Sequence, residues 1–176
     1  MNPALDVAPR RELIRFRVTA LVPAALFGVV LVSFPIAPGA IWAEYVGILF
    51  HLSIPLLAAR LDGPGWARPA AYAWVALDVL AGTLYINEIP HDQAWPVRLA
   101  AHIFAGIWMA TSSLYVRAVA VRVVGVAAGV WLTGYTLLEN VLPQGALGPA
   151  SILATSWFVL LAVLHKPVPA ASGRSH

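Results

Sequence analysis

Apolar residues run through this chain in long blocks, without the alternation of a strand or the narrow stripe of a soluble amphipathic helix. Six blocks stand out, at about Phe16 to Pro35, Ile41 to Ala59, Trp74 to Pro90, Trp95 to Val116, Val119 to Leu142 and Leu147 to Leu164. Each approaches the length of roughly 20 residues that carries a helix across a bilayer's hydrocarbon core. The breaks between them carry turn chemistry: Pro35, Pro38 and Gly39 after the first block, two glycines and two prolines between Arg60 and Pro69, then Pro90 and Pro143. The pattern predicts an all-α integral membrane protein of six transmembrane helices in a compact bundle, for which three helical hairpins are one arrangement. Residues 1–15 read as a cytoplasmic basic tail, 16–165 as the six-span transmembrane domain and 166–176 as a second cytoplasmic tail without fixed structure. Basic residues ahead of the first block also suit a cleaved signal peptide. The block is long, however, and Pro38 interrupts the small-residue cleavage pattern, so a spanning helix is the better reading.

Composition agrees with the pattern. Hydrophobic residues make up 60% of the chain and charged residues 11%, with a mean hydropathy of +0.79, whereas about a quarter of the residues of a soluble domain are charged. The absence of cysteine removes disulfides, thiolate nucleophiles, thiolate metal sites and covalent c-type haem attachment together. The net charge of +3 does not point to nucleic acid, because the basic residues lie at block ends and form no stripe. Of the 11 Lys and Arg residues, all but Arg98 fall in the two tails, at the start of the first block, between the second and third, or between the fourth and fifth. The positive-inside rule then places the chain in a cell membrane with both termini cytoplasmic, which requires an even number of spans.

Candidate chemistry starts from the third block, WVALDVLAGTLYINEIP, which carries Asp78 in its middle and Glu88 near its end. Ionisable groups at bilayer depth are costly and normally face a bundle interior to serve a substrate, an ion or a proton. On one continuous helix Trp74, Asp78, Tyr85 and Glu88 share a face, with the two carboxylates about 15 Å apart along the axis. Glu44 and His51 share a face in the second block, His102 lies in the fourth, and Glu139 and Asn140 end the fifth as Asn87 and Glu88 end the third. Glu88 and Glu139 sit where the helix dipole disfavours a carboxylate, so helix stability does not account for them. The sequence therefore proposes Asp78, Glu88, Glu139, His102 and Glu44 as catalytic candidates. Trp74, Tyr85, Asn87, His51, Tyr135 and Asn140 are the candidate substrate-binding residues, and Glu44, Asp78, Glu88, His102 and Glu139 are expected to point into one shared cavity open toward the outer half of the membrane. Gly125 and Gly129, four apart, mark a close helix contact.

Three functions suit such a set. Crowded carboxyls in an apolar site can divide into an acid and a base, which suits an enzyme acting on a lipid-soluble, isoprenoid-like substrate in the bilayer. The same groups could form the path of a small proton-coupled transporter. His51 and His102 could also be axial haem ligands, or bind a metal with Glu44 and Glu88, in an accessory subunit. No hydrolase, zincin, dinucleotide or P-loop motif is present, and neither a cofactor nor an oligomeric state follows from the pattern.

Overall fold

A computed structural model of the chain describes residues 4–165. Among them the structure is helical throughout: α1 (Ala4–Ile36), α2 (Ile41–Ala58), α3 (Ala67–Ile86), α4 (His91–Leu114), α5 (Val119–Leu138) and α6 (Leu147–Leu164), the last preceded by a 3-10 turn at Gln144–Ala146. Five of these, α1 (over Arg10–Ile36), α2, α3, α5 and α6, are long and apolar enough to cross a membrane. Although α4 has 24 residues, it is not among the five. It carries His91, Asp92, Gln93, Arg98 and His102, and several of these form the site described below.

The boundaries follow local chemistry. α1 begins at Ala4, so the basic stretch that the sequence placed in a separate tail is continuous with the first helix. α3 ends at Ile86, four residues before the expected boundary, because Pro90 disfavours helical backbone at Ile89. Asn87 closes α3 by donating its side-chain amide to the Thr83 carbonyl at 2.8 Å, and Glu88 turns the chain with a positive φ of 59°. α4 then starts at His91, directly after Pro90, so that His91 and Asp92 belong to its first turn and not to a loop. α5 stops at Leu138 and leaves Glu139 as its C-cap and Asn140 in an exposed turn.

Each helix packs on the next in chain order, and α1 closes the set against α6, so the six form a ring. The face of the ring turned away from its interior is apolar, with Leu56, Leu80, Val123, Val130, Leu137, Ile152 and Val163 all exposed. This is the surface that acyl chains, and not water, would solvate. Toward the basic end, the interior holds a chain of aromatic contacts from Phe50 to Trp74, Trp108, Trp157 and Phe158, with centroid spacings of 5.2–5.8 Å.

α4 and α5 approach most closely at two glycines. A Cβ on Gly106 would collide with the Gly129 carbonyl and with Thr133, and one on Gly129 would collide with the Gly106 carbonyl and Ala110. Gly125, the other half of the four-residue spacing, instead faces Ser113 and Trp157. The same contact fixes register, since Thr136 donates to the Leu99 carbonyl at 3.2 Å. Leu99 opposite Thr136 and Gly106 opposite Gly129 require the two helices to run antiparallel.

Candidate functional site

The ring encloses a cavity of about 540 Å³ to which all six helices contribute. Its lining comes from late in α1 (Phe27, Val30, Phe34), early in α2 (Glu44, Gly47, Phe50, His51), the middle of α3 (Trp74, Asp78) and along α4 (His91 to Met109). Late α5 (Leu132, Tyr135) and early α6 (Leu147, Gly148, Ser151, Ala154) complete it. Consecutive helices thus pass the cavity in opposite directions, and the cavity lies toward the end of the ring away from the clustered arginines at 10–17, 60, 68, 117 and 122. Most of the wall is apolar. Its ionisable groups gather on α2, α3 and α4.

Arg98 is the centre of that group. Its two terminal nitrogens donate to the two carboxylate oxygens of Glu44 at 3.1 and 2.5 Å, the paired fork geometry that guanidinium and carboxylate share. Its Nε lies 3.4 Å from Asp78 Oδ1, and its carbon sits 4.7 Å over the ring of Tyr85. Asp78, 2% exposed, uses its other oxygen, Oδ2, to accept from Trp74 Nε1 at 2.6 Å, with His51 Nε2 3.1 Å away. Trp74 and Asp78 meet because they are four apart on α3, one helical turn. His51 Nδ1 lies 2.7 Å from the carbonyl of Gly47, one turn earlier on α2. Both ring nitrogens of His51 therefore lie beside oxygen atoms, one of the backbone and one of Asp78. The result is a chain, Glu44, Arg98, Asp78, His51, in which the guanidinium of Arg98 joins the two carboxylates and the imidazole of His51 ends the line.

An aromatic layer lies beside this chain at the open ends of α3, α4 and α5. The Tyr85 hydroxyl and His91 Nδ1 are 2.9 Å apart, His91 stacks on Trp95 at 5.3 Å, and Trp95 Nε1 donates to Glu139 at 3.1 Å. Trp95 also lies nearly perpendicular to the His102 ring, with centroids 6.3 Å apart. Two polar atoms of the cavity-lining residues are buried without a hydrogen-bond partner among the described residues: His102 Nδ1 and the Tyr135 hydroxyl. Trp157 Nε1 is likewise unpartnered, but Trp157 does not line the cavity and faces Gly125.

The structure brings together Glu44, His51, Trp74, Asp78, His102 and Tyr135 at one cavity, with Tyr85 held under Arg98. It does not bring Glu88, Asn87 or Asn140 there. These three are exposed at the ends of α3 and α5, and Glu139 stands outside the lining, tied to Trp95. The expected pairing of Asp78 with Glu88 is corrected for a simple reason: α3 ends before Glu88, so the helical angle that aligned the two no longer applies. Glu44, in the first turn of α2, is held by Arg98. Arg98 itself was missed, counted only as the single basic residue on the far side. The signal was present in the spacing of His91, Trp95, Arg98, His102, Ala105 and Met109, which recur every three or four residues on one face of α4. Among the described residues, no group of three or more His, Asp or Glu side chains is disposed to hold a metal ion. No family model, curated protein or solved structure matches this chain.

Proposed function

We propose that the chain is a membrane-embedded enzyme that moves protons on and off a lipid-soluble, isoprenoid-like substrate held in the cavity of the ring. The observation that carries this reading is the union of a largely apolar cavity of about 540 Å³ with a wall on which Arg98 joins Glu44 to the buried Asp78. In the proposed membrane setting α4 is the sixth span. Arg98 and His102 line the cavity and His91 joins the aromatic layer, while Asp92 and Gln93 are exposed in the first turn of α4, so the length of the helix, and not its mean hydropathy, decides. The weight of arginine at the opposite end then puts both termini in the cytoplasm of a cell membrane and the cavity in the outer half of the bilayer.

His102 is the candidate catalytic group. It lines the cavity one turn beyond Arg98, and its Nδ1 has no protein partner. The Asp78 carboxylate, held by His51, Trp74 and Arg98, acts as a positioning group: it fixes the field in which His102 gains and loses its proton. The rings of Phe50, Trp74 and Trp95 belong to the cavity lining, and a ring face turned to the substrate would stabilise developing positive charge. The step balances without a co-reactant: one proton is delivered to the substrate and one is removed from a neighbouring atom, leaving an isomer. Proton-coupled transport is the weaker reading, because the ionisable groups sit on one part of the wall and the rest of the cavity is apolar.

Proton exchange at carbon gives the test. Reconstituted protein is incubated with isoprenoid lipids in D2O, and the lipids are extracted, washed in H2O and weighed by mass spectrometry. Carbon-bound deuterium should accumulate with the wild-type chain, fall at least about tenfold with Asp78→Asn, and disappear with His102→Gln. Unlabelled lipid throughout, with the protein folded, would rule out the enzymatic reading.

A further inference from the structure

We infer that the cavity selects a neutral lipid carrying a single hydroxyl or carbonyl, whose oxygen lies between Tyr135 and His102. This rests on the reading that a lipid-soluble molecule occupies the cavity, and it adds which chemical class that molecule belongs to.

The charges on the wall argue against a charged head. Glu44 and Asp78 both contact Arg98, at 2.5 and 3.4 Å, so each carboxylate already has a counter-ion and the guanidinium has two. A carboxylate, phosphate or ammonium entering beside them would be buried without one, which costs far more than burying a neutral polar group. The polar capacity still open belongs to two other groups. Tyr135 is 2% exposed and its hydroxyl has no partner among the described residues; His102 Nδ1 is buried and has none among them either. A buried polar atom normally has a partner, so two unpartnered ones on a single cavity wall point to a ligand's polar group.

Their placement suits one oxygen. α4 and α5 run antiparallel with Leu99 opposite Thr136 and Gly106 opposite Gly129, which sets His102 opposite Thr133 and brings Tyr135 within a turn of it. The phenol can donate or accept, and so can the imidazole nitrogen, depending on its tautomer. An alcohol or carbonyl oxygen satisfies both groups at once, whereas a hydrocarbon satisfies neither. The rest of the lining near these two is apolar, with Phe50, Met109, Leu132 and Ala154. At about 30 Å³ per water-sized group, the cavity holds roughly eighteen non-hydrogen atoms, the size of a short prenyl chain with its head.

The experiment measures binding of the purified full chain in nanodiscs to a fifteen-carbon prenyl alcohol, its aldehyde, the parent hydrocarbon, the carboxylic acid and the primary amine. The alcohol and aldehyde should bind at least about fivefold tighter than the hydrocarbon, and the acid and amine no better than the hydrocarbon. Tyr135→Phe should remove the preference for the alcohol while leaving hydrocarbon binding in place. If that variant does not assemble, His102→Asn is the replacement, and it should weaken the same preference. Equal binding of hydrocarbon and alcohol, tighter binding of the acid or amine, or no binding of any probe would overturn the inference. Selective binding of the alcohol without deuterium incorporation would leave the inference standing and remove the enzymatic reading alone.

Discussion

Replacing Arg98 by methionine keeps an unbranched stem and removes the charge that joins Glu44 to Asp78. Breaking a buried ion pair by deleting one partner costs about 3–5 kcal/mol, while an exposed pair is worth about 1 kcal/mol or less. The Arg98 side chain is 21% exposed, Glu44 24% and Asp78 only 2%, which places the loss near the low end of the buried range, about 3 kcal/mol. For a chain of this size that corresponds to a fall of roughly 6–12 °C in the melting midpoint. Tryptophan fluorescence during a thermal scan in a single detergent, at a fixed scan rate, measures it. A cycle with Glu44→Gln separates the pair from the site. Glu44→Gln leaves Arg98 its contact with Asp78, so its cost is smaller, and the double variant should lose less than the sum of the singles by at least about 1 kcal/mol. Additive losses would mean that the bidentate contact contributes nothing, and the ordering of the wall around Arg98 would have to be given up.

Further outcomes follow from other parts of the ring. Reporter fusions in the loop at 62–66 should read cytoplasmic and those at Glu88 or Ile89 external; an external signal at Asp62 would reverse the orientation and relocate the cavity. Gly106→Val should lower the melting midpoint by the equivalent of about 2–3 kcal/mol through collision with Gly129 and Thr133, whereas Gly28→Ala, with open space around it, should change little; similar midpoints for the two would deny the close contact of α4 and α5. His165, which caps α6 and packs on Phe16 at 4.7 Å, is held below its ordinary value of 6.5 by burial, with Asp62 pulling the other way. The unfolded chain then binds the proton more readily, so stability should decline as the pH falls through about 6.5. In His165→Phe that decline should be shallower, and an unchanged slope would contradict it.

Much of this architecture was legible in the chain. The apolar blocks located the helices, and the Leu147–Leu164 block agrees with α6 residue for residue; Pro149 falls in its first turn, where the missing N–H leaves no helical hydrogen bond unmade. Boundaries near polar residues were harder. Trp74 to Pro90 read as one span, yet Asn87 caps the helix and Glu88 adopts a positive φ, local choices made by Pro90 and by a side-chain hydrogen bond that hydropathy does not register. The site divided in the same way. Asp78 stood out because a carboxylate in mid-block needs partners, but the partners themselves depend on which helices adjoin. His51 reaches Asp78 only because α2 packs on α3, and Arg98 only because α4 does. Arg98 was read as a topological charge because it lies near the start of its block, although the recurrence of polar residues along one face of α4 already set it beside His102.

The central claim, that a lipid-soluble molecule occupies the interior of the ring, can be tested by photo-crosslinking. A prenyl alcohol with a diazirine at the chain end is added to the protein in nanodiscs, irradiated, and the adducts are mapped by mass spectrometry of the digested chain. Occupation of the cavity predicts adducts on Phe50, Met109, Leu132 and Ala154, reduced by competition with unmodified alcohol. Adducts confined to the outward residues Val123, Leu137, Ile152 and Val163, and insensitive to competition, would show the probe dissolved in the surrounding bilayer and contradict the account.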